Sequence, residues 1–126
     1  MRPTSFKSTA SLVLLLGLLA GCQSAPKPGM KTLQIYRPLG TVQCLNQQNV
    51  DLYRLSQPLA DAGYEVLTSR CGHDGLAHPF QCGTSDGGIG IFEIEVADRE
   101  KASQQVRGMG YLLHEDLPKA TVNACP

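Results

Sequence analysis

Between residues 31 and 115 the apolar positions switch between a period of two and a period of three to four, and this switching sets out the elements. Thr32-Leu33-Gln34-Ile35-Tyr36 alternates as a half-buried strand does. Thr41-Val42-Gln43-Cys44 alternates again after Pro38 and Gly40 interrupt the first run. Leu52, Leu55, Leu59 and Ala62 then recur at helical spacing and predict a helix over residues 50–62, with Gly63 as its stop. Pro58 falls inside that pattern and either kinks the helix or marks a shorter one starting near Ser56. Residues 64–70 read as a strand, and residues 72–88 as a loop rich in Gly, Asp and His that closes on the turn Asp86-Gly87-Gly88.

Residues 89–96 give the clearest strand. Phe92, Ile94 and Val96 share one face, and Glu93 and Glu95 point the other way, where the expected reading is solvated charge. Asp98 is a good N-cap for a helix over residues 98–107 with an Ala102/Val106 stripe, ended by Gly108 or Gly110. Residues 111–115 predict a short strand and residues 117–126 an irregular tail. Both helices end on Gly-Tyr before a strand, at Gly63-Tyr64 and Gly110-Tyr111. The order strand, helix, strand, strand, helix, strand predicts an α+β two-layer sandwich of the ferredoxin-like β-α-β-β-α-β kind.

Residues 10–19 do not belong to this pattern. They are almost wholly apolar, follow Arg2 and Lys7, and lead at once into Leu19-Ala20-Gly21-Cys22. A helix needs about 20 residues to span a bilayer, so this run has the length and flanks of a signal-peptide core. Leu, two small residues and Cys, placed directly after such a core, resemble the lipobox of bacterial lipoproteins. The resemblance implies cleavage before Cys22, acylation of its thiol with diacylglycerol and, in members of the class, a further palmitate-type chain. Several chains make a permanent anchor where one makes a weak one. Gln23 and Ser24 follow the cysteine; in this class retention in the inner membrane usually needs Asp there, so the resemblance implies an outer-membrane lipoprotein, expected to face the periplasm.

The chain then divides into a signal peptide at residues 1–21, a lipidated Cys22 with a Pro-rich tether at 22–30, and a single small domain at 31–126. Removing residues 1–21 of 126 leaves 105, enough for one modest core. Arg2 and Lys7 are two of the 11 basic residues, so nine remain against 11 acidic ones, and no basic face suggests nucleic acid. The tether holds Pro26, Pro28 and Gly29 and reaches at most about 25 Å from the lipid.

Four cysteines remain beyond Cys22: Cys44, Cys71, Cys82 and Cys125. An even set in an exported chain points to disulfides, because the periplasm oxidises thiols. Cys71–Cys82 with Cys44–Cys125 is the favoured pairing, and Cys44–Cys71 with Cys82–Cys125 its main rival.

Cys71-Gly-His73-Asp74-Gly-Leu-Ala-His78-Pro-Phe-Gln-Cys82 is the densest run of metal-ligand types. Oxidised cysteines cannot ligate, so the run reads first as a disulfide-closed loop, with His73 and His78 left as the residues able to hold a metal. A Cys82–His78 nucleophile is disfavoured for the same reason. Tyr36, Tyr53, Tyr64 and Tyr111 read as half-buried core-edge side chains before they read as a binding face. No hydrolase, zinc-protease or phosphate-loop motif is present, so no enzyme and no cofactor is expected. The expected function is a non-catalytic envelope lipoprotein that presents a disulfide-braced domain to a protein partner. One alternative is a peptidoglycan-binding lipoprotein: Asp98-Arg99-Glu100-Lys101-Ala102 opening the second helix, together with the element order, looks like the SPOR modules of cell-wall proteins. The cysteines and the long loop depart from that pattern, and no glycan-binding residue carries over. The other alternative is a metal-handling lipoprotein that uses His73 and His78.

Overall fold

The computed structural model describes residues 27–46 and 48–126. The expected signal peptide, Cys22 and most of the expected tether lie outside the described residues. Seven elements follow one another: β1 (Lys31–Pro38), α1 (Leu52–Asp61), β2 (Val66–His73), β3 (Gly88–Val96), α2 (Arg99–Gly108), β4 (Leu112–Leu113) and β5 (Thr121–Asn123). The strands form one antiparallel sheet in the order β4-β1-β3-β2-β5. No helix among the described residues is long and apolar enough to cross a membrane.

The β1–β3 register pairs Leu33 with Ile94 and Ile35 with Phe92. Alternation therefore puts these four on one face, and both helices cover it: Leu59 of α1 and Ala102 and Val106 of α2 join them in one buried cluster with Val96, Tyr111 and Leu113. Burial of each large aliphatic or aromatic side chain there contributes about 1.5–3 kcal/mol.

The two Gly-Tyr sequences are one motif used twice. Gly63 and Gly110 adopt φ of 90° and 89°, a left-handed conformation that glycine enters without Cβ strain. Their amides donate to the carbonyls of Ala60 (2.9 Å) and Arg107 (3.0 Å), and the following Tyr64 and Tyr111 amides donate to Leu59 and Val106, both at 3.0 Å. This is the Schellman arrangement, which satisfies the orphan carbonyls at a helix end and sets the exit direction of the chain. Gly110, not Gly108, is thus the stop of α2. At its other end the Asp98 carboxylate accepts from the amides of Glu100 and Lys101 as predicted.

Pro58 lies inside α1 without ending it. The bond that its missing N–H forgoes would have gone to Arg54, an exposed residue whose carbonyl water can serve. Residues 41–44 do not form the expected strand: Val42 makes only an isolated bridge to Ser85, and Cys44 turns to φ 68°.

The irregular tail is replaced by something more ordered. Beyond β4 at one sheet edge the chain crosses the face away from the helices and returns as β5 at the other edge, paired to β2 from Cys71 to His73. Leu117 on this strap is 5% exposed and packs with Tyr36, Ile89 and Ile91, with Leu112 and Ala120 alongside. The expected distribution on β3 is corrected accordingly: Ile89 and Ile91 lie on the glutamate face and are buried there, at 2% and 1% exposure.

Both disulfides form, in the pairing that the sequence reading placed neither first nor second. Cys44 bonds Cys82 and Cys71 bonds Cys125. The reason is the register: β5 lies against β2 and sets Cys71 opposite Asn123, so Cys125 arrives beside it. The backbone bonds Gln43 N–Thr84 O (2.8 Å) and Gly83 N–Gln43 O (3.2 Å) bring Cys44 alongside Cys82.

Candidate functional site

β2 ends on His73 and β3 begins at Gly88, so the loop between them runs over residues 74–87. Its entrance is fixed by short local bonds. Asp74 donates its amide to Gly87 O (2.9 Å) and accepts from the Leu76 amide at Oδ1 (2.9 Å), a turn that aspartate side chains commonly make. His73 Nδ1 accepts from the Gly75 amide at 3.0 Å. One turn later His78 brings Nε2 to 2.8 Å from Asp74 Oδ2 and 3.0 Å from Oδ1. The side chains of His73, Asp74 and His78 are 36%, 12% and 19% exposed, so the group is most open to water at His73.

The two histidines expected to lie on the loop are thus brought together, with ring centroids 5.8 Å apart and edge to face. Asp74 joins them, and one ligand-type atom from each residue lies within 4.8 Å of the others. Gly87 is the fourth part of this arrangement. It is buried, with φ 81°, and a Cβ there would stand 2.5 Å from His73 Nε2 and 2.8 Å from His78 Nε2. The absent side chain leaves room beside both histidine rings. Sequence reasoning assigned Gly87 only to a turn. The signal it did carry, Asp74 four residues before His78 in a loop, gains meaning only when Gly87, at the far end of that loop, comes beside them.

Asp86 anchors the far side. Its Oδ1 accepts from Thr41 Oγ1 (2.6 Å) and from the Gly88 amide (2.9 Å). Burial raises its pKa, but the Thr41 hydroxyl, the Gly88 amide, its own amide and the positive field of His73 together hold it below the ordinary carboxylate value. Because the folded-state pKa is the lower one, this group favours the folded state above about pH 4 and loses that contribution as pH falls through the folded value. Urea unfolding at pH 6 and pH 2.5 checks this: the Asp86→Asn variant should be less stable at pH 6 and show a shallower acid loss. An unchanged pH dependence in that variant would remove Asp86 from the account.

Cys82 is bonded to Cys44, so neither a thiolate nucleophile beside His78 nor sulfur ligation is available in this oxidised state. The glutamates separate. Glu93 is half-buried and accepts from Thr68 Oγ1 (3.5 Å), whereas Glu95 is 4% exposed, contrary to the expected solvated charge. The cause is the segment before β1: the Lys27 amide donates to Glu95 Oε1 at 2.7 Å, and Lys27 Nζ pairs with Glu65 at 3.1 Å, so the chain ahead of β1 covers this carboxylate.

The tyrosines divide as well. Tyr36 and Tyr111 are buried at 1% and Tyr53 is 77% exposed, while Tyr64 alone keeps the half-buried core-edge place expected of all four, with its hydroxyl 2.6 Å from Gln105 Oε1. Residues 114–116 turn after β4, with Arg107 bridging Asp116 (2.9 Å) and Glu115 (3.1 Å).

The large exposed apolar side chains gather unevenly. Phe80 is 90% exposed, Leu45 58% and Leu76 53%. Phe80 precedes Cys82 by two residues and Leu45 follows Cys44, so the Cys44–Cys82 bridge ties these two positions to the same loop base. The chain matches no protein-family model, no curated protein and no solved structure.

Proposed function

We propose that this chain is a non-catalytic lipoprotein of the outer membrane, anchored through acyl chains on Cys22, whose domain faces the periplasm and offers the 74–87 loop to a protein partner. The observation that carries the partner is Phe80, held almost fully in water on a loop pinned by a disulfide. A pinned loop loses little entropy on binding, and aromatic side chains, Phe among them, are enriched at the buried cores of protein interfaces. Leu76 on the same loop and Leu45 beside the bridge are also exposed, at 53% and 58%. The lipobox Leu19-Ala20-Gly21-Cys22 supports the anchor. The strand order β4-β1-β3-β2 and the packing of both helices on one face support a ferredoxin-like β-α-β-β-α-β sandwich, here extended by the edge strand β5.

A photo-crosslinking residue placed at position 80 in the membrane-bound protein tests the reading. One discrete adduct with an envelope protein is expected at position 80 and none at position 100. Mass spectrometry of the same extract should find a mature N-terminus at Cys22 carrying lipid. A protein that keeps residues 1–21 and washes from membranes in buffer, or that gives no adduct at position 80, overturns it.

Cell-wall binding is the second reading. A polar groove of about 360 Å³, lined by Thr32, Gln34, Glu93, Arg99 and His114, favours it. Hydroxyl, amide and charged groups suit a sugar–peptide polymer. Co-sedimentation with purified sacculi, lost in Gln34→Ala, is the outcome expected of this reading.

A further inference from the structure

We infer that His73, Asp74 and His78 form a binding site for one divalent transition-metal ion of the Zn(II), Co(II), Ni(II) or Cu(II) type. The inference is independent of the lipid anchor and of the partner, because it rests on the loop geometry alone.

The first ground is convergence. Donor atoms of the three residues lie within 4.8 Å of one another, a span across which small side-chain rotations reach the ~2.0–2.2 Å metal–nitrogen and metal–oxygen distances. The second is space. Gly87 has no side chain beside His73 Nε2 and the Cδ2–Nε2 edge of His78, and a Cβ there would stand 2.5 and 2.8 Å from the two nitrogens. The third is rigidity. Cys71, two residues before His73, is bonded to Cys125, and Cys82, four residues after His78, is bonded to Cys44. The ligand loop is thereby held between two covalent fixed points, which lowers the ordering entropy an ion must offset.

The donor set fixes the class of ion. Two imidazoles and one carboxylate suit borderline divalent ions; calcium and magnesium prefer sets made wholly of oxygen, and soft copper(I) prefers the sulfur that the disulfides withhold. In the ion-free state the His78–Asp74 hydrogen bond and the Gly75 amide on His73 Nδ1 occupy the site. Ligation through Nε2 needs the single ring proton of each neutral histidine on Nδ1, so the ion competes with those bonds and with protons. The partly open His73 side leaves water as the remaining ligand.

The test uses the full-length chain in detergent, with disulfides intact and the Cys22 thiol alkylated, titrated with Co(II) by visible absorption and with Zn(II) by calorimetry. One ion per chain is expected. His73→Gln, Asp74→Asn and His78→Gln should each weaken binding by at least the roughly 10–100-fold that loss of a metal site's supporting contacts brings. His114→Gln, which changes the third histidine of the chain, should bind as the parent does. Thermal melts of each variant separate lost ligation from lost folding. In the unmutated chain, substoichiometric Co(II) should selectively broaden or shift the ring resonances of His73 and His78 and leave those of His114 in place. Absence of saturable binding at millimolar ion, parental affinity in a His73→Gln/His78→Gln double variant, or perturbation centred on His114 overturns the site.

Discussion

Replacing both Cys71 and Cys125 with alanine is expected to lower the unfolding free energy by about 4 kcal/mol and the thermal midpoint by roughly 15–30 °C. The bridge closes a sequence separation of 54, and most of the expected effect comes from the loop entropy that the cross-link removes from the unfolded chain. The same argument gives the Cys44–Cys82 bridge, with a separation of 38, nearly the same value, so the entropy of the unfolded chain does not rank the two. Their native surroundings do. Cys71 is 2% exposed within β2, and its bond to Cys125 fastens the end of the strap whose Leu117 covers Tyr36, Ile89 and Ile91. Loss of that bond should free residues 114–126 for proteolysis and uncover an apolar sheet face to a hydrophobic dye. Loss of Cys44–Cys82 should leave the strap protected and loosen only the 74–87 loop. Urea unfolding, limited proteolysis and dye binding on the two double variants compare these outcomes directly. A Cys71/Cys125 variant that loses less than about 1 kcal/mol and keeps a protease-resistant strap would show that β5 docks without the bridge.

The second large effect comes from one side-chain pair in the core. Phe92 is fully buried and meets Tyr111 edge to face, with ring centroids 6.2 Å apart. Phe92→Ala should cost about 3–5 kcal/mol through lost transfer energy and the cavity left behind. Two residues earlier on the same face of β3, Gly90 makes room for that ring: a Cβ there would stand 2.9 Å from both Phe92 Cε2 and Cζ, and 3.3 Å from Leu52 Cδ2. Gly90→Ala should therefore cost about 1–3 kcal/mol by overpacking, although glycine to alanine within a strand is ordinarily favourable by roughly 0.5–1 kcal/mol. In the Phe92→Ala background the obstruction is gone, and the same Gly90→Ala change should become neutral or stabilising. Denaturant unfolding of the four proteins measures a coupling of about 1–3 kcal/mol. Simple additivity would mean that the ring is not what keeps position 90 a glycine.

The sequence by itself determined the local parts of this protein. The strand and helix periods placed β1, β3, α1 and α2 within a few residues, because each has an apolar stripe that must face a core. Asp98 and the two Gly-Tyr stops were legible because capping involves only residues within one turn of a helix end. The ligand-rich run 71–82 and the presence of disulfides were legible as composition and chemistry. Tertiary structure decided whatever depends on groups far apart in the chain. Cys71 finds Cys125 only because three residues with no period of their own, Thr121–Asn123, add to the free edge of β2. Ile89 and Ile91 read as the polar face of a strand until the strap crosses it, and Glu95 reads as solvated until the Lys27 amide arrives. The two histidine rings can lie together because Gly87, nine residues beyond His78 and just before another strand, withholds a side chain beside them. Periodicity records which face of an element is apolar. What comes to cover that face is fixed by long-range closure of the chain, which leaves no periodic mark.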